Sequence, residues 1–194
     1  MFFAITLGFL IGSIPFGKHA GTMRGVDIQK EGSGNIGFAN VFRVLGWQWA
    51  ISVLIGDLLK GYLPAAYALH SLSLTQTLWV GMATLAGSIF NPWLGWTGGK
   101  GVAVLLGISF ALDPRIGLAG ITTWLIIVAV FRASSLGSLT ATLVILLFSV
   151  GLQPNIVWFY ALSFVIVLLK HRTNIDQLAS GHEAKLFGIQ RNRP

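Results

Sequence analysis

A glycine-rich stretch with a single lysine, Gly98-Gly99-Lys100-Gly101, separates two long apolar runs of the sequence. Glycine has no Cβ and tolerates positive φ, so its backbone N–H groups can lie close to an anion. The lysine adds a full positive charge. The stretch therefore predicts a phosphate-binding loop, although a flexible turn with a solvated lysine at a membrane surface would use the same residues.

The first polar cluster in chain order lies in the segment GSGNIGFANVFR, near the N-terminus, and the Lys100 stretch is the second. Small residues there let the backbone fold tightly, and the donors are a hydroxyl, two amides and a guanidinium, supplied by Ser33, Asn35, Asn40 and Arg43, with Gly32 and Gly37 among them. Arginine is suited to bidentate contact with phosphate. The chain lacks the GxxxxGK pattern of nucleotide-binding P-loops. The segment thus predicts an anion site, and a flexible connector is the alternative.

A third cluster, HRTNIDQLASGHE, follows the last apolar run. His171 and Asn174 share a helical face if that helix continues past Lys170. Gly181 then predicts a turn that carries Glu183. A histidine with a downstream glutamate superficially resembles a metal site, but the other ligands are missing, so no metal is expected.

The composition places these clusters in a membrane protein. Of 194 residues, 54% are hydrophobic and 10% charged, whereas soluble domains carry about 25% charged residues. The absence of cysteine excludes disulfides and thiolate metal sites. The net charge of +7 is better explained by membrane orientation than by nucleic-acid binding.

Seven apolar runs predict an all-α integral membrane protein, because backbone groups in lipid must be satisfied within each segment. We expect one domain over residues 1–194 with about seven transmembrane helices, some short, at 1–16, 44–69, 74–96, 102–112, 116–131, 136–152 and 156–169. A span needs about 20 residues. The fourth helix is therefore expected to begin near Thr97, with the glycine-rich loop held by protein below the membrane surface.

The cations predict the orientation of these helices. With the N-terminus outside and the C-terminus inside, only Arg115 lies on the outer side, and the inner side receives Lys18, Arg24, Lys30, Arg43, Lys100, Arg132, Lys170, Arg172, Lys185, Arg191 and Arg193. This is the positive-inside pattern. All three polar clusters then lie on the cytoplasmic side, where they are expected to form one pocket.

Two charges lie within the second run. Asp57 and Lys60 are three residues apart, so they share a helical face and can neutralise each other. Charges inside a span are costly and are functional candidates by default. The two readings are a structural ion pair and a Lys60 that adds charge to the anion site.

Together the clusters resemble the motifs of a known family, the bacterial membrane glycerol-3-phosphate acyltransferases that use acyl phosphate, or PlsY family. GSGNIGFANVFRVLG is similar to GSGNxGATNxxRxxG, NPWLGWTGGKGVAVLLG to FLGFxGGKGVAT, and HRTNIDQLASGHE to HxxNIxRLxxGxE. DLLKG, at 57–61, fits DxxKG. The resemblance extends from the first run to the tail, and the order and spacing of the motifs make it specific.

The resemblance implies acyl transfer from acyl phosphate to sn-glycerol 3-phosphate, which gives lysophosphatidic acid and inorganic phosphate in the first acylation of phospholipid synthesis. It implies catalytic roles for Ser33, Arg43, Lys100, His171, Asn174 and Glu183. It implies substrate binding by Gly32, Asn35, Gly37, Asn40, Lys60, Gly98, Gly99 and Gly101. Glycerol 3-phosphate is expected on the Lys100 loop, and the acyl phosphate head or a shared phosphate on Ser33, Asn35, Asn40 and Arg43.

No serine–histidine–aspartate set or cysteine nucleophile is evident, so we expect direct attack by the glycerol hydroxyl without an acyl-enzyme. The proton goes to His171 or to a substrate phosphate oxygen, and the second is favoured. The expected location is the bacterial inner membrane, with membrane lipid as surroundings. No cofactor, metal, nucleic acid or obligate protein partner is expected.

Two other functions fit parts of the sequence. A transporter of a small organic phosphate would also place cations and glycine breaks inside a membrane bundle, but transporters usually have midplane sites and repeated halves. An acyltransferase that uses acyl-CoA is the other alternative. The chain lacks the HxxxxD pair that such enzymes often carry.

Overall fold

The computed structural model describes residues 1–187, and within them every regular element is a helix and there is no strand. The α-helices are α1 Phe2–Gly12, α2 Phe16–Met23, α3 Phe38–Leu45, α4 Trp47–Ser71, α5 Leu74–Ile89, α6 Val102–Leu112, α7 Pro114–Phe131, α8 Ser134–Leu152, α9 Val157–Lys170 and α10 Arg172–Ala179. Short 3-10 turns lie at Pro92–Leu94 and Pro154–Ile156. The predicted inner cations Arg191 and Arg193 lie outside the described residues.

Each of the seven apolar runs contains one of the helices α1 and α4 to α9, so the all-α prediction is confirmed. By length and apolar composition, three helical segments can cross a membrane: Phe2–Met23, Pro114–Phe131 and Ser134–Leu152. The bent pair Pro154–Lys170 and Arg172–Ala179 is a possible fourth. Seven spans and their orientation remain predictions.

The surface of the bundle is apolar where lipid would cover it. On α7, for example, Leu118, Ile126 and Val130 are each more than half exposed. Such a face would be unusual in a soluble domain, because large contiguous apolar patches are rare there. The buried core lies between the helices instead, around Leu85, Leu105 and Phe159.

The start of α6 differs from the prediction. The helix begins at Val102 rather than near Thr97, because Gly101 precedes it with φ +80. The segment before it is fixed to the end of α5, where Gly98 N–H donates to Ile89 O and Gly99 N–H to Ser88 O, both at 3.0 Å. A helical Thr97–Gly101 would break those bonds. The expectation that protein holds this loop is confirmed.

The charged pair in α4 fastens that helix to the first two. Lys60 Nζ lies 2.8 Å from Asp57 Oδ1 and donates to Ile14 O at 2.9 Å. Ile14 belongs to the break between α1 and α2, before Pro15. The ion pair is therefore present as predicted, and it also satisfies a backbone carbonyl that a helix break has freed.

Glycines let α4 and α6 approach closely. A Cβ on Gly61 would lie 2.2 Å from Val104 O, and a Cβ on Gly107 would lie 2.0 Å from Leu58 O. Small residues at such contacts are the usual means of packing membrane helices, since lipid supplies no hydrophobic driving force. Because α6 carries the Lys100 loop at its start, this contact sets the position of the loop.

We predict that Gly61→Val separates α4 from α6 and lowers stability by about 1–3 kcal/mol, the usual cost of overpacking. Thermal unfolding of the detergent-solubilised protein measures the loss. Gly151→Val in α8 is the matched control, because a Cβ there meets nothing within 4 Å. Equal losses for the two variants would contradict this account of the α4–α6 contact.

Candidate active site

A pocket with room for about 130 Å³ lies where the three polar clusters meet α6. It is lined by all six residues predicted as catalytic: Ser33, Arg43, Lys100, His171, Asn174 and Glu183. Of the predicted binding residues it is lined by Asn35, Gly37, Asn40, Lys60, Gly99 and Gly101, whereas Gly32 and Gly98 lie outside the lining. The predicted convergence of the three clusters is thus confirmed.

The side-chain amide of Asn40 holds the backbone of the first cluster in place through hydrogen bonds. It is 1% exposed, its Oδ1 accepts from Ser33 N–H at 2.8 Å, and its Nδ2 donates to Ile28 O and Glu31 O. Gly32, at φ +60, leaves space for that amide, since a Cβ there would lie 2.3 Å from Asn40 Oδ1. Asn40 and Gly32 therefore position Ser33. The prediction that Asn40 helps to hold the acyl phosphate head or a shared phosphate stays a prediction, and its polar atoms have protein partners here.

The other donors of this cluster remain available. Asn35 Oδ1 accepts from Gly37 N–H at 2.8 Å, and within residues 1–187 its Nδ2 has no hydrogen-bond partner. Arg43, in the last turn of α3, makes one long contact of 3.5 Å from a guanidinium nitrogen to Ala184 O. A contact of that length is weak. Most of the arginine's five donors are therefore free to bind a phosphate in the bidentate manner.

The glycine-rich loop differs in part from the predicted cradle of bare glycine amides. The N–H groups of Gly98 and Gly99 already donate to the carbonyls at the end of α5. Within residues 1–187 the N–H groups of Lys100 and Gly101 have no such partner, and the first N–H groups of a helix have no intrahelical acceptor. Val102, Ala103 and Val104 form that first turn of α6 and line the pocket. The candidate anion site is thus the start of α6 together with Lys100 and Gly101.

A chain of hydrogen bonds fixes the Lys100 ammonium. Ser135 Oγ donates to Glu183 Oε1 at 2.7 Å, and Asn174 Nδ2 donates to Glu183 Oε2 at 3.0 Å. Lys100 Nζ in turn donates to Asn174 Oδ1. The sequence reasoning missed Ser135. Its only signal is that Ser134 and Ser135 follow Arg132 in the polar break between two apolar runs.

His171 lies at the junction of α9 and α10 and is 2% exposed. The sequence placed His171 and Asn174 on one face only if the helix continued past Lys170, and that condition is not met, because α9 and α10 are bent by 63° there. His171 and Asn174 nevertheless both line the pocket. His171 Nδ1 lies 2.8 Å from Val167 O. A carbonyl only accepts, so Nδ1 carries the hydrogen and Nε2 is the nitrogen with a lone pair in the neutral ring.

The charges in the pocket favour an anion. Burial lowers the pKa of Lys100 to about 8, while Glu183 raises that pKa and Arg43 lowers it. Two cations, Arg43 and Lys100, thus face one carboxylate, while Asp57 and Lys60 neutralise each other. Within residues 1–187, no group of three or more His, Cys, Asp or Glu side chains is placed to hold a metal.

One side of the pocket is apolar. Its side chains come from α4, α6 and α7, and they are Leu54, Val104, Leu106, Ile121 and Trp124. Trp124 also packs edge-on against Phe38 at 5.6 Å, which joins α7 to the first cluster. The site therefore combines a cationic end with an apolar wall, as an amphipathic ligand requires. The sequence could not identify this wall, because its residues are indistinguishable from their apolar neighbours.

Comparison with known proteins gives a single answer. A family model described as glycerol-3-phosphate acyltransferase matches residues 2–181. A glycerol-3-phosphate acyltransferase of Trichlorobacter lovleyi is 40% identical over 187 residues, covering 94% of this chain and 96% of the relative. One of Aquifex aeolicus is 36% identical over 187 residues, covering 93% and 96%.

Two solved structures agree with these relatives. The crystal structure of PlsY (YgiH), an integral membrane glycerol 3-phosphate acyltransferase, in its glycerol 3-phosphate form, has a TM-score of 0.93 at 35% identity. Its lysophosphatidic acid form has a TM-score of 0.90. Both cover 96% of this chain and 95% of the other. This chain is an all-α integral membrane protein, and it belongs to the glycerol-3-phosphate acyltransferase family.

Proposed function

We propose that this protein transfers an acyl group from acyl phosphate to a hydroxyl of sn-glycerol 3-phosphate, releasing lysophosphatidic acid and inorganic phosphate. The observation that carries the proposal is the pocket itself, where two cations and the start of α6 adjoin an apolar wall. The family and the titles of the two solved structures support glycerol 3-phosphate as acceptor and lysophosphatidic acid as product. The choice of acyl phosphate as donor rests on the motif resemblance and on the presence of a second group of phosphate-binding residues, Ser33, Asn35 and Arg43, besides the Lys100 loop.

The two phosphates are assigned to different cations. Lys100 and the first turn of α6 bind the phosphate of glycerol 3-phosphate, since a compact ammonium and helix N–H groups suit a terminal phosphate. Arg43, Ser33 and Asn35 bind the phosphate of the donor, and the acyl chain lies along the apolar wall. The reacting carbonyl then sits between the two phosphate sites, next to His171 and Asn174.

The reaction proceeds by direct attack. The glycerol oxygen forms a bond to the acyl carbonyl carbon, and the bond from that carbon to the phosphate oxygen breaks. The mixed anhydride is already activated, so an acyl-enzyme is unnecessary. Charge builds on the departing phosphate, where Arg43 stabilises it. The hydroxyl proton passes to a phosphate oxygen, and His171 orients the acceptor.

The active site is proposed to face the cytoplasm of a bacterial inner membrane, with the N-terminus outside. The support is the cation distribution, which places Lys18, Arg43, Lys100 and Arg132 on one side. Both proposed substrates are then available from that side, glycerol 3-phosphate from water and the acyl donor along the membrane.

The direct test is to incubate purified protein with acyl phosphate and glycerol 3-phosphate, and to measure lysophosphatidic acid and inorganic phosphate. Acyl-CoA in a parallel reaction separates the two donors. Equal amounts of product and phosphate from acyl phosphate support the proposal. Product from acyl-CoA alone would identify the other donor, and uptake of glycerol 3-phosphate into liposomes without product would identify a transporter.

Lys100→Ala is predicted to lower kcat/KM for glycerol 3-phosphate by about 10²–10³-fold, as expected when one partner of a buried, hydrogen-bonded charge pair is removed. The same assay measures it, with thermal unfolding as the check on folding. Lys30→Ala is the control, because that side chain is 82% exposed and does not line the pocket. Near-normal turnover by Lys100→Ala would end the phosphate assignment.

His171→Gln separates the two routes for the proton. Glutamine keeps an amide donor and acceptor but cannot take up a proton, so orientation is largely retained and general-base catalysis is lost. With a substrate phosphate as acceptor, kcat is predicted to fall less than about tenfold. A drop of about 10²–10⁴-fold is the expected size for a lost general base, and would assign the proton to His171.

The pH dependence of kcat/KM for glycerol 3-phosphate should follow the protonation state of Lys100. Its lowered pKa means that the ammonium loses its proton as the pH rises through about 8. The kcat/KM for glycerol 3-phosphate, which reflects the free enzyme, is therefore predicted to be highest below pH 8 and to fall about tenfold per unit above it. In Lys100→Arg the guanidinium stays charged, so the remaining kcat/KM should not fall above pH 8. The same fall above pH 8 in Lys100→Arg would show that another group causes it.

A further inference from the structure

A second groove lies outside the active-site pocket, between the end of α5 and the bend that joins α9 to α10. It is lined by Phe90, Ile166, Leu169, Lys170, Arg172 and Thr173, and it shares no residue with the pocket. None of the motifs that resemble the family assigns a role to it.

Two of the side chains that line this groove are cations. Lys170 Nζ is 5.0 Å from the centroid of the Phe90 ring, which holds the ammonium over the groove. Among residues 1–187, neither Lys170 nor Arg172 forms an ion pair, although Asp176 lies one turn beyond Arg172. The groove thus presents two positive charges without a protein anion to balance them.

The other lining side chains are apolar and open. Leu169 is 65% exposed and Phe90 45%, and Ile166 lies one helical turn before Lys170 on α9. In a membrane helix such side chains face acyl chains, while the long Lys and Arg side chains reach to the headgroup level. The groove therefore combines two cations with neighbouring exposed apolar side chains, as the phosphate and the chain of a phospholipid require.

We propose that this groove binds an anionic phospholipid of the surrounding bilayer. Its phosphate lies between Lys170 and Arg172, and one chain lies against Ile166 and Leu169. Basic pockets between membrane helices are the usual binding sites of such headgroups. Lys170 and Arg172 flank His171 in sequence, so the lipid would contact the α9–α10 bend through residues that do not line the active-site pocket.

Native mass spectrometry of the full chain tests the proposal without relying on catalysis. The protein is exchanged from detergent containing equal amounts of phosphatidylglycerol and phosphatidylcholine with identical acyl chains. The wild type is expected to retain one phosphatidylglycerol in preference. Removal of each cation is expected to lower that preference about fivefold, as a charge near a membrane surface contributes. Lys170→Gln/Arg172→Gln should therefore lose most of it.

The matched control is Arg24→Gln/Lys30→Gln, which removes two exposed cations elsewhere and should keep the preference. Lys170→Arg/Arg172→Lys should also keep it, which separates loss of charge from misfolding. Equal retention of phosphatidylglycerol by Lys170→Gln/Arg172→Gln and the wild type would overturn the proposal. So would equal retention of phosphatidylcholine by the wild type.

Discussion

The active site depends on keeping one ammonium charged inside a largely buried pocket. Within residues 1–187 Lys100 has no carboxylate in direct contact; it donates to Asn174, which in turn donates to Glu183. A direct ion pair would neutralise the lysine fully. The Asn174 amide between the two charges holds the lysine in place without doing so. The free-energy cost of burying this charge is visible in the lowered pKa of Lys100. The ammonium can nevertheless still attract a phosphate.

That single arrangement ties together distant parts of the bundle. Glu183 lies after α10 and accepts a hydrogen bond from Ser135 at the start of α8. Asn174 lies on α10, beyond the bend that follows α9. Leu186 N–H donates to Arg132 O at 2.7 Å, so the tail is fastened beside the same helix. The glycine contacts between α4 and α6 bring the lysine to this network. A shift of α6, α8 or α10 would therefore displace the Lys100 ammonium.

The sequence was informative where membrane physics leaves few choices. Every apolar run contains a helix, because lipid leaves the backbone no other partner, and the three polar clusters meet because isolated polar groups avoid lipid. It was uninformative about hydrogen-bond partners. Gly98 and Gly99 look like anion-binding amides but donate to α5, and Asn40 looks like a ligand contact but holds Ser33. Ser135 carries no signal of its own, because its partner is 48 residues away.

The surroundings of His171 bear on the path of the proton. A histidine that acts as a general base is commonly oriented by a carboxylate, which stabilises the imidazolium as it forms. Here Nδ1 faces the Val167 carbonyl, and Glu183 is engaged by Ser135 and Asn174. Lys100, nearby, disfavours a second positive charge. An imidazolium would therefore form without its usual support and beside a cation. We therefore propose a phosphate oxygen of the substrates, rather than His171, as the acceptor of the proton.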